Sequence, residues 1–147
     1  RRRQRQMCIR DRSYAGIKYL NLDNEISEIF STDQIIPSAG QGIIALQCRD
    51  DDSEIISVLE KINHKDTYKR AHIERNILKV LEGDCETAIG AHSIIEGNKI
   101  TVEAELFSLD GSQIFYEKKS GYVDEFKEIG IEVGNALKIK SNNSYKK

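Results

Sequence analysis

The chain has 147 residues, of which 39% are hydrophobic and 31% charged, as in globular proteins of one domain or of one small domain with pieces of another. Its apolar runs are only a few residues long, so the sequence offers no candidate transmembrane helix. The net charge of −2 is unevenly placed, because residues 1–12 hold six Arg and one Asp whereas the remainder holds 16 basic and 23 acidic residues. An acidic body of this kind disfavours nucleic-acid binding through bulk charge.

Residues 1–12 form a basic head, RRRQRQMCIRDR, that lacks the apolar core of a signal peptide. Such a head is compatible with a nucleic-acid-binding arm or a targeting tag. It also resembles translated adapter or vector sequence. We adopt this last interpretation, a non-native head, and leave the segment out of the fold prediction.

Three widely spaced Cys residues, Cys8, Cys48 and Cys85, include no C-x-x-C pair. This pattern argues against a disulfide framework and against a zinc site, and it predicts free thiols in a cytoplasmic protein. The His residues are too scattered for a metal site and are predicted to lie on the surface or at helix caps: His64, His72 and His92.

The first elements after the head are a short helix-like stretch at residues 14–20 and, later, an apolar segment at residues 43–46. Because the helix-like stretch starts directly after the head, we expect the N-terminal part of a larger protein to precede it. Four consecutive apolar residues predict a strand buried on both faces of a sheet, with Cys48 as a core residue at its end. The sequence nearby supplies few sheet neighbours for such a strand.

Two amphipathic helices are predicted next. Asp50–Asp52 supplies N-cap candidates for the first helix, which is expected to end near residues 63–64. The second is expected to begin near residue 66 and to end at Gly83 in the left-handed conformation, which places Cys85 on a loop just beyond a helix. The apolar stripes are Ile55, Leu59 and Ile62 in the first helix and Ile73, Ile77, Leu78 and Leu81 in the second.

Three antiparallel strands and a final helix are predicted in the remainder of the chain. The strands span residues 88–95, 99–109 and 113–122, with a turn at Gly97–Asn98 and a hairpin at Asp110–Gly111. A helix over about residues 124–140 follows, and the polar tail from residue 141 is expected to fray. The inward positions are Ile100, Val102, Ala104 and Leu106 in the second strand, and Phe126, Ile129, Val133 and Leu137 in the helix. From residue 66 onward the pattern therefore predicts a compact α+β unit.

Three blocks of this sequence occur in the same order in the porphobilinogen deaminase family, which the chain resembles. The run Glu74–Gly90, ERNILKVLEGDCETAIG, is similar to the family's cofactor-attachment motif, a Glu-Arg pair on a helix before a Leu-x-Gly-x-Cys loop. Pro37–Gly42, PSAGQG, resembles the family's Pro-Ala-x-Gly-Gln-Gly segment, and Ala15–Lys18, AGIK, resembles its Ala-Gly-Leu-Lys. The resemblance covers residues 13 to about 140.

Three positions depart from the family pattern. Asp84 stands where the family has Gly or another small residue, and its carboxylate is expected to raise the pKa of the neighbouring Cys85 thiol and to disfavour the thiolate. Ala88 stands where the family has Pro. Tyr19 stands where the family often has an Arg that is implied to bind substrate carboxylates, so one anion contact is expected to be lost or supplied elsewhere.

The resemblance implies the fold class α/β: a C-terminal fragment of a three-domain enzyme, with a complete α+β third domain and remnants of periplasmic-binding-protein-like domains. The third domain is expected to be a three-stranded antiparallel sheet with helices on one face. The implied boundaries are a non-native head at 1–12, the end of the second domain at 13–36, a strand and helix returning to the first domain at 37–65, the cofactor-carrying C-terminal domain at 66–141 and a polar tail at 142–147.

The resemblance also implies a transferase of tetrapyrrole biosynthesis. The family polymerises four porphobilinogen molecules to hydroxymethylbilane, with release of ammonia, on a dipyrromethane primer held by a thioether to a Cys that matches Cys85. Gln41 and Gly16 are the further candidate cofactor contacts. The catalytic residues are expected upstream of this chain, which is therefore predicted to be inactive alone. The family is usually monomeric and cytoplasmic, and no nucleic acid, membrane or metal is implied as a partner.

Structural interpretations of the same residues remain open beside these functional ones. Cys85 is also compatible with a free or redox-active thiol in a non-catalytic α+β binding module. Gly16 is compatible with a packing role, and Glu74 and Arg75 with a structural pair near the cofactor loop. Lys118–Lys119 is predicted to be a solvated strand edge, which discourages edge pairing.

Overall fold

A computed structural model describes residues 13–84 and 87–146 of the chain. The predicted non-native head, Cys85, Glu86 and Lys147 lie outside the described residues. The chain divides into two compact units, Arg1–Gln34 and Ile35–Lys147. In the first unit, helix α1 spans Tyr14–Tyr19 and a 3-10 turn spans Asp23–Glu25.

In its described residues, the second unit contains three α-helices and one sheet. Strands β1, β2 and β3 form an antiparallel sheet in that order, joined by two hairpins, and this confirms the predicted three-stranded antiparallel sheet. A short 3-10 turn, Val123–Glu125, leads into the last helix. The elements are α2 at Ser53–Ile62, α3 at Lys65–Leu81, β1 at Ile89–Glu96, β2 at Lys99–Phe107, β3 at Ile114–Tyr122 and α4 at Phe126–Ser141.

The core of the second unit lies between one face of the sheet and helices α3 and α4. Every second residue of β2 is fully buried there, as the alternation predicts. The helical stripes pack against the same face, which confirms the predicted α+β arrangement with both helices on one side. The fully or almost fully buried members are Ile100, Val102, Ala104 and Leu106 from β2, Ile73, Ile77 and Leu81 from α3, and Ile129, Val133 and Leu137 from α4.

The predicted helix starts are confirmed by their caps. Asp52 accepts a hydrogen bond from the Ile55 N–H (3.2 Å) and begins α2. His64 caps α3, since its Nδ1 accepts from the Thr67 N–H (3.2 Å), in agreement with the predicted cap or surface role. The predicted end of α3 was wrong by one residue. Glu82, with φ of 52°, adopts the left-handed conformation in place of Gly83, and its carboxylate forms an ion pair with Lys146.

The predicted buried strand at residues 43–46 is absent, and this expectation was wrong. Ile44 is 90% exposed and Leu46 is 61% exposed. A strand buried on both faces requires backbone partners, and among the described residues the sheet contains only β1, β2 and β3. The segment instead lines a groove of about 480 Å³ against α2 and α3. Cys48 is partly buried in this groove and is not a core residue.

The polar tail is docked, so the expectation that it frays was also wrong. Asn142 and Asn143 adopt the left-handed conformation (φ of 45° and 59°) and turn the chain back after α4. Tyr145 then enters the core with only 4% of its surface exposed, and its hydroxyl donates to the Leu81 carbonyl (3.1 Å). The sequence signal was one aromatic residue within a polar segment, and the tertiary fold supplies the pocket that buries it.

Candidate functional site

The candidate cofactor loop follows a helix end whose four terminal carbonyls all have hydrogen-bond partners. An isolated helix leaves its last four carbonyls without intrahelical partners. In α3, the Gly83 N–H donates to the Leu78 carbonyl (2.9 Å) and the Glu82 N–H to the Lys79 carbonyl (3.2 Å), as in a Schellman motif. The Lys138 ammonium donates to the Val80 carbonyl (3.4 Å), and the Tyr145 hydroxyl to the Leu81 carbonyl. The chain therefore leaves a firmly held helix end just before position 85.

Asp84 and Thr87, the described residues on either side of positions 85 and 86, are hydrogen-bonded to each other. Asp84 Oδ1 accepts from the Thr87 N–H (3.1 Å) and from the Thr87 hydroxyl (3.3 Å). In return, the Thr87 hydroxyl oxygen accepts from the Asp84 N–H (3.1 Å). The Asp84 carboxylate is thus engaged with Thr87 across the loop. Because Cys85 lies outside the described residues, the expected rise in its thiol pKa stays a prediction, as does its role in attachment.

Gln41 lies in a double turn that explains the Gly-Gln-Gly pattern. The Gln41 N–H donates to the Ser38 carbonyl (3.0 Å) and the Ile43 N–H donates to the Gly40 carbonyl (3.3 Å). Each turn requires positive φ at its third residue, and Gly40 and Gly42 both supply it with φ of 78°. Gln41 is exposed between the two glycines, so its side-chain amide is accessible to a ligand.

Glu74 joins this double turn to the sheet and to α3. Its side chain is buried, with 2% of its surface exposed. Oε2 accepts from the Gly40 N–H (2.8 Å), while Oε1 accepts from the Ser93 N–H (3.0 Å) and the Ser93 hydroxyl (2.8 Å). The predicted pair with Arg75 was wrong, because Arg75 is exposed and adjacent helix residues point in different directions. The missed signal was that Glu74 stands three residues before Ile77, on the buried stripe.

The segment that enters the double turn runs along the free edge of β1. The Ala91 N–H donates to the Pro37 carbonyl (2.8 Å). At Gly90, a Cβ would lie 2.6 Å from the Ile36 carbonyl oxygen, a distance that no real side chain tolerates, so only glycine permits this approach. The motif block at residues 37–42 and the strand that follows the Cys85 loop are therefore in direct backbone contact.

Gly16, the third candidate, lies in α1 of the first unit. Its N–H donates to the Ser13 hydroxyl oxygen (3.3 Å), which caps the helix. The residue is exposed, and a Cβ there would meet only the Ser13 hydroxyl, at 3.9 Å. No crowding within the described residues requires glycine, so the packing role lacks support. Its role as a cofactor contact stays a prediction.

The part of the chain that the structure describes contains neither a candidate metal site nor a candidate membrane-spanning helix. No group of three or more His, Cys, Asp or Glu side chains is arranged to hold a metal ion there. None of the helices between residues 13 and 146 combines the length and the apolar character needed to cross a membrane.

Comparisons with known proteins give one consistent family. The family model described as "Porphobilinogen deaminase, C-terminal domain" matches residues 68–139, and the one described as "Porphobilinogen deaminase, dipyromethane cofactor binding domain" matches residues 13–57. A porphobilinogen deaminase from Desulforamulus reducens is 37% identical over 123 residues, which are 84% of this chain and 40% of the relative.

Further relatives agree in name and in coverage. A porphobilinogen deaminase from Carboxydothermus hydrogenoformans is 36% identical over 128 residues, 87% of this chain and 41% of the relative. One from Coxiella burnetii is 37% identical over 123 residues, 84% of this chain and 40% of the relative. The chain therefore spans about 40% of the length of these curated relatives. The chain corresponds to a C-terminal portion of these relatives. Because two family models match in succession and the relatives share one name, the chain belongs to the porphobilinogen deaminase family.

Proposed function

We propose that this chain is the C-terminal part of a transferase that joins four porphobilinogen molecules into hydroxymethylbilane with release of ammonia. The observation that carries the proposal is the match of both family models in succession. The Leu-x-Gly-x-Cys loop lies within residues 68–139, the range matched by the C-terminal domain model. A three-domain enzyme is part of the proposal. In it, residues 13–36 end the second domain, residues 37–65 return to the first, and residues 66–141 form the third.

Cys85 is the proposed attachment point of the dipyrromethane primer, through a thioether. The described residues fit this role in two respects. The helix end before Cys85 has all four of its terminal carbonyls satisfied. Asp84 and Thr87, on either side of positions 85 and 86, are hydrogen-bonded to each other. The dipyrromethane, when bound at Cys85, would supply the free pyrrole carbon on which the first porphobilinogen unit is added. The protein nucleophile is used once, at assembly, and stays bonded during elongation.

The exposed amide of Gln41 is proposed to donate to, or accept from, polar groups of the tethered pyrroles. Gly16 is proposed as a place where backbone approaches the ligand. The groups that bind the acetate and propionate carboxylates of the substrate, and the acid that handles its protons, are proposed to lie upstream of this chain. The chain alone is then inactive, and a cytoplasmic, monomeric enzyme is the proposed context.

The alternative, a non-catalytic α+β module with a free or redox-active Cys85, is not favoured. It accounts for the fold of the second unit. It does not explain why two separate ranges, residues 13–57 and 68–139, match models of the same family.

Intact-mass measurement tests the proposal. A chimera is built in which residues 13–147 replace the matched part of the Desulforamulus reducens relative, and it is purified from cells that make porphobilinogen. We expect an added mass equal to one dipyrromethane, which Cys85→Ser abolishes and the matched control Cys48→Ser retains. A folded chimera whose Cys85 is unmodified and freely alkylated would contradict the attachment.

A further inference from the structure

A single buried carboxylate connects the Gln41 turn to β1 and α3. We propose that Glu74 is a positioning residue that fixes the Gln41 turn against β1 and α3, so that the Gln41 amide is presented to the tethered pyrroles at a fixed position. The identity of the ligand rests on the proposed function, whereas the anchoring of the turn rests on the hydrogen bonds alone.

The hydrogen bonds of Glu74 hold the Gln41 turn against β1. Both carboxylate oxygens are used: one accepts from Gly40 in the turn, and the other accepts twice from Ser93 in β1. A buried carboxylate is tolerated only when donors compensate its lost hydration, and hydrogen bonds to charged groups are the strong ones. The turn cannot move away from β1 without leaving buried negative charge with one donor fewer, so Glu74 resists that motion.

The entry to the turn is held independently of Glu74. The Ala91 N–H bonds the Pro37 carbonyl, and Gly90 admits the Ile36 backbone to close contact. The turn is thus fixed at its entry by β1 and at Gly40 by Glu74. Gln41 is exposed, and the two anchors hold its backbone at a fixed position.

The first test measures amide hydrogen exchange at Gly40 in this chain. Glu74→Gln replaces one acceptor oxygen by an NH₂ group, which only donates, so the one remaining oxygen cannot accept from both Gly40 and Ser93. We expect exchange at Gly40 to accelerate about tenfold or more, the factor that corresponds to a lost charge-assisted hydrogen bond. The matched control, Ser93→Ala, removes a hydrogen bond to the same carboxylate but leaves Oε2 on Gly40, and it should leave Gly40 protected.

Equal exchange at Gly40 in the two variants would overturn the anchor. If Glu74→Gln does not fold, Glu74→Asp is measured instead. This variant keeps the carboxylate but shortens the side chain by one methylene. We expect it, too, to release Gly40 while the core amides of β2 stay protected.

The second test uses the chimera and asks whether Glu74 acts through Gln41. Glu74→Gln and Gln41→Ala should each raise the KM for porphobilinogen several-fold, with the dipyrromethane mass on Cys85 retained. The double variant should match the single variants, because the two residues act as one unit. Effects that multiply would refute the coupling. A chimera without any added mass at Cys85 contradicts the proposed function instead, and the exchange experiment still decides the anchor.

Discussion

Replacing Tyr145 tests whether the tail is part of the folded core. Tyr145 is 96% buried, because only 4% of its surface is exposed, and its hydroxyl satisfies the Leu81 carbonyl. The same tail segment accepts a hydrogen bond from the Leu109 N–H at the Ser144 carbonyl (2.9 Å) and forms the ion pair between Lys146 and Glu82. The Tyr145 side chain thus fastens the tail to the end of α3, and the adjacent Ser144 carbonyl bonds the tail to the β2–β3 hairpin.

The expected magnitude follows from burial and from the hydrogen bond. Truncating a buried aromatic side chain to Ala costs about 3–5 kcal/mol. Of this, the hydrogen bond accounts for about 1 kcal/mol, which Tyr145→Phe isolates because it keeps the ring. Small domains have only about 5–15 kcal/mol of stability, so Tyr145→Ala should lower Tm on the order of 15 °C. Urea denaturation measures the free energy of unfolding of both variants and thermal denaturation measures their Tm, each followed by far-UV circular dichroism.

Tyr122 provides the matched control. It is a Tyr of the same unit, lies at the end of β3 and is 59% exposed. Tyr122→Ala should cost about 1 kcal/mol or less, since it removes only partly exposed cross-strand contacts. If Tyr145→Ala cost no more than Tyr122→Ala, the docked tail would be refuted. Unchanged exchange at the Leu109 amide in Tyr145→Ala would contradict the fastening of the hairpin by the tail.

Three further substitutions probe other features. Gly90→Ala places a Cβ 2.6 Å from the Ile36 carbonyl oxygen and should destabilise the unit by about 1–3 kcal/mol in urea denaturation, whereas an uncrowded Gly→Ala change would stabilise it. Asp110 has its pKa lowered from 3.8 to about 2, mainly by the Ser108 hydroxyl and then by Ser112. Its ionised form therefore stabilises the fold above about pH 4, and this contribution is lost as the pH falls from about 3.8 to about 2. Asp110→Asn should flatten that part of the stability profile, and an unchanged slope would contradict the assignment. Ile44→Asp should change the free energy of unfolding of this chain by no more than about 0.5 kcal/mol, because Ile44 is 90% exposed, and a loss of 2 kcal/mol or more would show that the residue is packed.

Local patterns in the sequence predicted most of the second unit. The alternation in β2 identified all four inward residues, because side chains of a strand point to opposite faces in turn. The Asp52 cap and the Asp110–Gly111 hairpin were equally predictable, since both depend on residues within a few positions of one another. The motif blocks that identified the family were likewise readable as short runs.

The candidate site was predictable as a set of segments but not as an arrangement. The motifs named Gln41 and Cys85, and the double turn with Gly40 and Gly42 is a local feature that the Gly-Gln-Gly pattern implies. Nothing local indicates that Glu74, thirty-four residues away from Gly40, holds that turn. The one available hint was a Glu on an apolar helical stripe, which demands donors from elsewhere in the fold.

What the sequence determined by itself was therefore the identity and order of the helices and strands from residue 53 onward, their buried faces and the family to which the chain belongs. The tertiary structure decided three further features. Residues 43–46 form no strand, because no backbone among the described residues pairs with them. The polar tail is docked, because α3, α4 and the hairpin leave a pocket for Tyr145. The Gln41 turn is anchored, because packing brings Gly40, Glu74 and Ser93 together and a buried carboxylate has to be satisfied by whatever donors the fold supplies.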